Sequence, residues 1–191
     1  MIDLYSRKIV GWEIYESETS ELLKKVVKRA ITRENMAPKV IHGDNGSPMM
    51  CWLLVEYIYE LYVNISRSRP RVSNDNAHIQ SLFKTVKYFP TYPYGGFATI
   101  DAARKWMSDF VDHYNNDNQQ SAIKFVTPQQ AYSGVHIEIL AQRREIYDGA
   151  RKCMPGRWFP GRCRDWNPVS EVSIILTNKS VGDEAKGGKG R

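Results

Sequence analysis

K-V-I-H-G-D-N-G-S-P, residues 39–48, is an apolar run that ends in an acidic residue and a glycine-containing turn. Lys39 to His42 reads as a short buried strand, with Asp44 at its carboxyl end before Asn45-Gly46 turns the chain. Pro48 stands where a first helical turn tolerates proline, so a helix is expected over about 48–62. Asn64 to Ser66 then reads as a second brief strand. The next informative stretch is S-R-P-R-V-S-N-D-N-A-H-I-Q-S-L-F-K-T-V-K-Y (68–88), a polar loop running into a basic amphipathic helix over about 77–88. Thirty-five residues separate Asp44 from Gln80 on that helix. An acidic residue at a strand end and a basic helix at this spacing point to metal-dependent phosphoryl chemistry on a polyanion.

The rest of the chain alternates strands and helices. Met1 to Tyr5 reads as the tail of a strand, Ser6-Arg7-Lys8 as a tight turn, and Ile9 to Tyr15 as a second strand rich in β-branched and aromatic residues. Leu22, Leu23, Val26, Val27, Ala30 and Ile31 recur at helical spacing behind candidate caps Ser17 and Ser20, and Pro38 ends that element. Further helices are expected at about 99–116, 127–133 and 135–150, with Thr127 capping Pro128. Beyond Gly156 the segment is turn-rich, Glu171 to Leu176 reads as a last strand, and the Gly/Lys-rich end reads as a disordered tail.

Bulk properties fit a protein with a polyanionic partner. The 191 residues suit one domain with an appendage, and 42% hydrophobic with 25% charged residues is ordinary for a globular protein. A net charge of +6 and a pI near 9.2 favour nucleic acid. Cys51, Cys153 and Cys163 show no C-x-x-C spacing and read as reduced thiols. No apolar run reaches the roughly 20 residues of a membrane span, and Asp3 and Arg7 interrupt any signal-like region. A cytoplasmic location without a membrane partner follows as the expectation.

Six segments, in order, give the chain a family likeness. They are I-D-L-Y-S-R-K-I-V-G-W-E (2–13), I-H-G-D-N-G-S-P (41–48), S-R-P-R-V-S-N-D-N (68–76), S-L-F-K-T-V-K-Y (81–88), H-Y-N (113–115) and F-V-T-P-Q-Q-A-Y (125–132). With these the sequence resembles the insertion-sequence transposases whose catalytic core is of the retroviral-integrase type. The resemblance covers roughly the first 135 residues. It implies an α/β, ribonuclease H-like fold, a mixed sheet flanked by helices. It also implies a DNA strand transferase in which three carboxylates hold two Mg²⁺ (or Mn²⁺) ions, one activating the attacking oxygen and the other neutralising the leaving one.

Carried onto this chain, the resemblance puts the second carboxylate at Asp44 and the third, a Glu in the family, at Gln80. An amide supplies one weak oxygen ligand and no charge, so the expectation is a degenerate, inactive centre. The plainer reading of Asp44 is a turn residue bonded to the backbone beside Gly46. Asp75 reads as the cap of the following helix. Asp3 matches the turn-proximal acid of the family's second strand, so a turn role is expected, and the first carboxylate is not found. The chain is therefore expected to begin after the family's first strand. An Arg and a His that the family places shortly after Tyr114-Asn115 correspond here to Gln119 and Gln120.

Arg67, Arg69 and Arg71 cluster ahead of the basic helix, and Lys84 and Lys87 lie on it, a strip suited to DNA phosphates; the alternative is a solvated charged face. Arg143, Arg144, Arg151 and Lys152 suggest a second, weaker DNA contact. Trp12, Trp52 and Trp106 are expected in the core, and His42 in a packing or supporting role beside Asp44. The organisation expected is an integrase-like domain over 1–134, a helical and turn-rich extension over 135–178, and the tail over 179–191. The expected partners are DNA (element ends and target) and further copies of the chain or of intact transposase, with the protein on the bacterial nucleoid when bound. The competing readings are a non-catalytic DNA-binding or interfering module and a functionless remnant.

Overall fold

The computed structural model describes residues 1–70, 73–158, 164–170 and 172. Helix α1, Ser20–Glu34, starts where the Thr19 hydroxyl accepts the Leu22 N–H at 3.3 Å, and it ends on Asn35 in the left-handed region. The cap is thus Thr19, between the two serines expected. Strand β1, Val40–Gly43, is followed by α2 (Ser47–Met50), α3 (Trp52–Glu60) and strand β2 (Asn64–Arg67). β1 and β2 pair in parallel, Val40 opposite Asn64 and Gly43 opposite Arg67, with the two helices forming the crossover that parallel pairing requires. The single helix expected over 48–62 is two, because Cys51 is extended and its carbonyl accepts the Leu54 and Val55 N–H groups that open α3. α2 also lies close over β1: a Cβ on Gly43 would meet the Met49 methyl at 2.4 Å.

Three clusters hold these elements together. Val27 of α1, Ile41 of β1, Leu54 and Ile58 of α3, and Val63 make one, and Leu54 and Ile58 are completely buried. A second joins Ile9 to α4 (Ala77–Lys87) through Leu82 and to α5 (Ile100–Asn116) through Phe110, Val111 and Tyr114. Trp106 stacks on Phe110 at the edge of that cluster. The third gathers Ile123 and Val126 with α6 (Pro128–Tyr132) and α7 (His136–Cys153), against which Trp166 packs. Thr99 caps α5, and Thr127, the cap expected from the sequence, forms a capping box with Gln130 on α6. The strand expected over 171–176 and the tail over 179–191 fall outside the described residues, apart from Val172.

The expected hairpin strands over 1–5 and 9–15 are a correction. Their pairing is one antiparallel bridge, Ile2 with Ile9. The Met1 carbonyl accepts the Val10 and Gly11 N–H groups, and side chains from distant helices bond other backbone groups of the second segment. Asn115 of α5 takes the Ile9 N–H at 2.9 Å and gives an N–H to the Ile9 carbonyl at 3.1 Å. The Arg33 guanidinium donates to the Val10 carbonyl, and Arg104 donates to that of Ile14 at 2.9 Å. Buried backbone groups need partners, and once side chains supply them a ladder is not required. Trp52 is a second correction. It lies about 200° round α3 from Leu54, at about 100° per residue, and is 72% exposed.

Candidate functional site

The ends of β1 and β2 and the entry to α4 are tied together by polar side chains. The His42 ring, on β1, stands with Nδ1 3.0 Å from the Ser66 hydroxyl of β2 and Nε2 3.1 Å from the Asp75 carbonyl. A carbonyl only accepts, so Nε2 carries the hydrogen and Nδ1 accepts from Ser66. Ser68 reinforces the joint: its N–H and hydroxyl both donate to the Gly43 carbonyl, at 2.9 and 3.3 Å. The Asn45 amide donates to the Ser68 carbonyl at 2.7 Å. His42 therefore has the supporting role expected of it.

Asp75 does not cap α4. The N-cap is Asn76, which makes no side-chain capping bond. The Asp75 carboxylate instead closes the loop from Ser68, accepting the Arg69 N–H at 2.9 Å and the Arg69 guanidinium at 2.9 and 2.8 Å. These bonds, the guanidinium contact foremost, lower its pKa from 3.8 to about 2. The forked geometry suits a planar guanidinium and fixes where the loop enters the helix. Nothing local in N-D-N distinguishes a cap from a clamp, because the partner lies six residues back in the loop.

Asp44 follows β1 immediately and is exposed. Its Oδ1 accepts the Gly46 N–H at 2.9 Å, which is the turn role. Gln80 is the fourth residue of α4 and is also exposed. Among the described residues no group of three His, Cys, Asp or Glu side chains could hold a metal ion. Asp3 likewise fills its turn role, accepting the Ser6 N–H and hydroxyl at 2.7 and 2.6 Å.

The basic residues distribute unevenly. Lys84 and Lys87 are exposed in the last turn of α4, where the helix dipole favours cations, beside exposed Phe83 and Tyr88. Arg69 is exposed but paired with Asp75. Arg67, half-buried at the end of β2, has its Nε shut off without a partner among the described residues. Arg71 lies outside the described residues. Arg143, assigned to a second DNA contact, donates to the Lys124 and Phe125 carbonyls at 3.0 Å and braces two consecutive left-handed residues. Arg144 donates to Asn167. The residue that sequence reasoning missed most completely is Asn115, whose only signal was its place in H-Y-N.

Two family models, each described as an integrase core domain, match residues 1–73 and 61–128. An uncharacterized transposase-like protein of Haemophilus influenzae is 24% identical over 128 residues, 66% of this chain and 58% of its own length. The transposase for insertion sequence element IS904 of Lactococcus lactis is 26% identical over 130 residues, 67% and 51% of the two lengths. The chain thus spans little more than half the length of these relatives. Among solved structures, the simian T-cell lymphotropic virus intasome in complex with PP2A regulatory subunit B56 gamma aligns with a TM-score of 0.51 at 18% identity, covering 61% of this chain and 41% of the other. The catalytic core domain of BIV integrase aligns with a TM-score of 0.50 at 16% identity, covering 66% and 80%. The fold is that of the integrase catalytic cores, ribonuclease H-like, as expected. Residues 1–128 form an integrase core domain, and over that stretch the chain is similar to insertion-sequence transposases.

Proposed function

We propose that this chain is a DNA-engaging transposase core, of a lineage that performs DNA transposition and integration, and that it does not carry out strand transfer by itself. The observation that carries the reading is Gln80 on α4, where the family resemblance calls for a carboxylate, together with a described structure in which no three candidate ligands converge. Mg²⁺ and Mn²⁺ select several hard anionic oxygens. An exposed Asp44, with an amide at position 80, does not fit two such ions, so no chemical step is assigned to them here. DNA contact rests on the exposed face of α4 with Lys84 and Lys87, on Arg69, and on the net charge of +6. Contacts of that kind bind phosphates without reading bases, and on this reading the protein works at the DNA of a bacterial cytoplasm. Other copies of the chain or of intact transposase are the natural protein partners.

Purified protein with an oligonucleotide bearing the element's end should show neither 3′-end cleavage nor joining in Mg²⁺ or Mn²⁺. Duplex affinity should be indifferent to sequence and fall steeply between about 50 and about 200 mM salt. Metal-dependent joining that disappears in Asp44→Ala would overturn the inactive reading, and salt-insensitive binding would overturn the DNA interface.

A further inference from the structure

On the face of α4 turned away from Gln80, the first turn of the chain, α4 and the segment after α5 enclose a polar cleft of about 410 Å³. His78 and Ser81 belong to the cleft wall, whereas Gln80, two residues beyond His78, lies about 200° round the helix from it. Pockets of this volume suit a small ligand. Among the described residues no carboxylate lines the cleft, and Arg7 is the one cationic residue that does.

Arg7 is held in an unusual way. Its φ is 66°, a left-handed value uncommon for a residue with a side chain. The turn is fixed by the Arg7 N–H on the Asp3 carbonyl at 2.9 Å and the Asp3 N–H on the Lys8 carbonyl at 2.8 Å. From there the guanidinium reaches α4, with Nη1 2.5 Å from His78 Nδ1. Arginine can only donate, so His78 is the neutral tautomer with its hydrogen on Nε2. Burial, and then the Arg7 charge, lower the His78 pKa in agreement.

Two donors in the cleft wall are buried. Arg7 Nε is shut off from water with no hydrogen-bond partner among the described residues, and Gln120 Nε2 is likewise shut off, with the Tyr114 hydroxyl as its neighbour at a distance too long or an angle too poor for a full bond. The nearby carboxylate, Asp3, attracts the Arg7 charge but has committed Oδ2 to the Ser6 N–H and hydroxyl. Orphaned buried donors are uncommon and call for an explanation. Here a guanidinium from the N-terminal turn, an amide from beyond α5 and hydroxyls from Ser81 and Ser121 meet around one space. A tetrahedral oxyanion presents oxygens in several directions and so matches donors that arrive from three elements.

We propose that this cleft is a phosphate-binding subsite that takes one phosphodiester of a DNA strand, with Arg7 and Gln120 as its principal donors. The proposal rests on the DNA reading above for the source of the phosphate, and adds a contact separate from the Asp44 and Gln80 side of α4.

The test uses the full chain and two probes, inorganic phosphate and a duplex oligonucleotide. Phosphate should shift the His78 ring and Gln120 side-chain NMR signals saturably. Arg7→Gly suits the left-handed backbone, so it should keep the fold, and it should abolish those shifts. Gln120→Glu, which puts a carboxylate in the cleft, should do the same, whereas Lys84→Ala should leave them intact. With the oligonucleotide, Arg7→Gly should lower affinity several-fold and reduce the salt slope by about one. Absence of saturable phosphate shifts, or shifts unchanged in Arg7→Gly, would overturn the subsite. Arg7-dependent phosphate binding with unaltered oligonucleotide affinity would overturn the strand as its occupant. If no oligonucleotide binds while phosphate binding still depends on Arg7, the DNA reading fails and the anion site stands without its proposed occupant.

Discussion

The Asn115 side chain of α5 bonds both backbone groups of Ile9, 106 positions earlier in the chain, and so does for that residue what a neighbouring strand would do. Ile9 is itself 1% exposed and central to the cluster that joins α4 to α5. The Tyr114-Asn115 pair thus ties the first turn of the chain to the helix behind it. Tyr114 packs in the cluster and Asn115 satisfies the backbone that the cluster buries.

Asn115→Leu is nearly isosteric but leaves the buried Ile9 N–H and C=O without partners. Each such orphan costs about 1–3 kcal/mol, so the variant should be roughly 2–6 kcal/mol less stable in urea unfolding. A loss below about 0.5 kcal/mol would show that the bonds are not made, or that water replaces them freely.

Leu54 of α3 is completely buried between α1 and the strands, so its truncation opens a cavity among Val27, Ile41 and Ile58. Leu54→Ala should cost about 2–5 kcal/mol. Trp52→Ala, on the exposed face of the same helix, should change stability by less than about 0.5 kcal/mol. Equal losses for the two would mean that Trp52 is covered.

The pairing of Asp75 with Arg69 predicts a pH dependence. The carboxyl's pKa in the folded chain, about 2, is below its ordinary 3.8. Its contribution to stability is therefore complete above the ordinary value and fades as the pH falls from about 4 to about 2. Asp75→Asn should be less stable than the native chain at neutral pH, and the gap should narrow across that acid window. A gap that stays constant down to pH about 2 would show that the carboxylate's charge does not hold the loop.

Much of this architecture is legible in the sequence because its signals are local. Thr127 precedes a helix and caps it, and Asp44 beside Asn45-Gly46 makes the turn its neighbours suggest. What escapes is what depends on distant partners. The β-branched run from Ile9 looks like a strand, yet Asn115, Arg33 and Arg104 bond its backbone from two helices. Asp75 has the composition of a cap, and only the returning loop makes it a clamp. Trp52 sits in an apolar helix whose period puts it opposite Leu54 and Ile58, a placement that counting tryptophans as core overlooks. The site is legible as a place on the fold, at the end of β1 and the start of α4. Its chemistry depends on which groups share that place.

Gln80→Glu is the variant that tests this directly. The His42 ring joins β1 to the Asp75 carbonyl, so Asp44, two residues past His42, and Gln80, five past Asp75, are carried by elements fixed to each other. A second carboxylate on α4 would give a divalent ion two anionic oxygens where the native chain offers one, and hard cations respond to anionic ligand count. The native chain should show no saturable Mn²⁺ effect on its melting temperature. Gln80→Glu should be stabilised by Mn²⁺, and Gln80→Glu combined with Asp44→Ala should lose that response. Strand transfer should remain absent from the single variant, because an in-line displacement needs a clamp on both the attacking and leaving oxygens, which calls for a second ion with its own ligands. A saturable Mn²⁺ response in the native chain would mean that Asp44 already has ligand partners. Strand transfer by Gln80→Glu alone would mean that a third carboxylate is within reach, with Asp75 and Asp3 the first to replace by Asn.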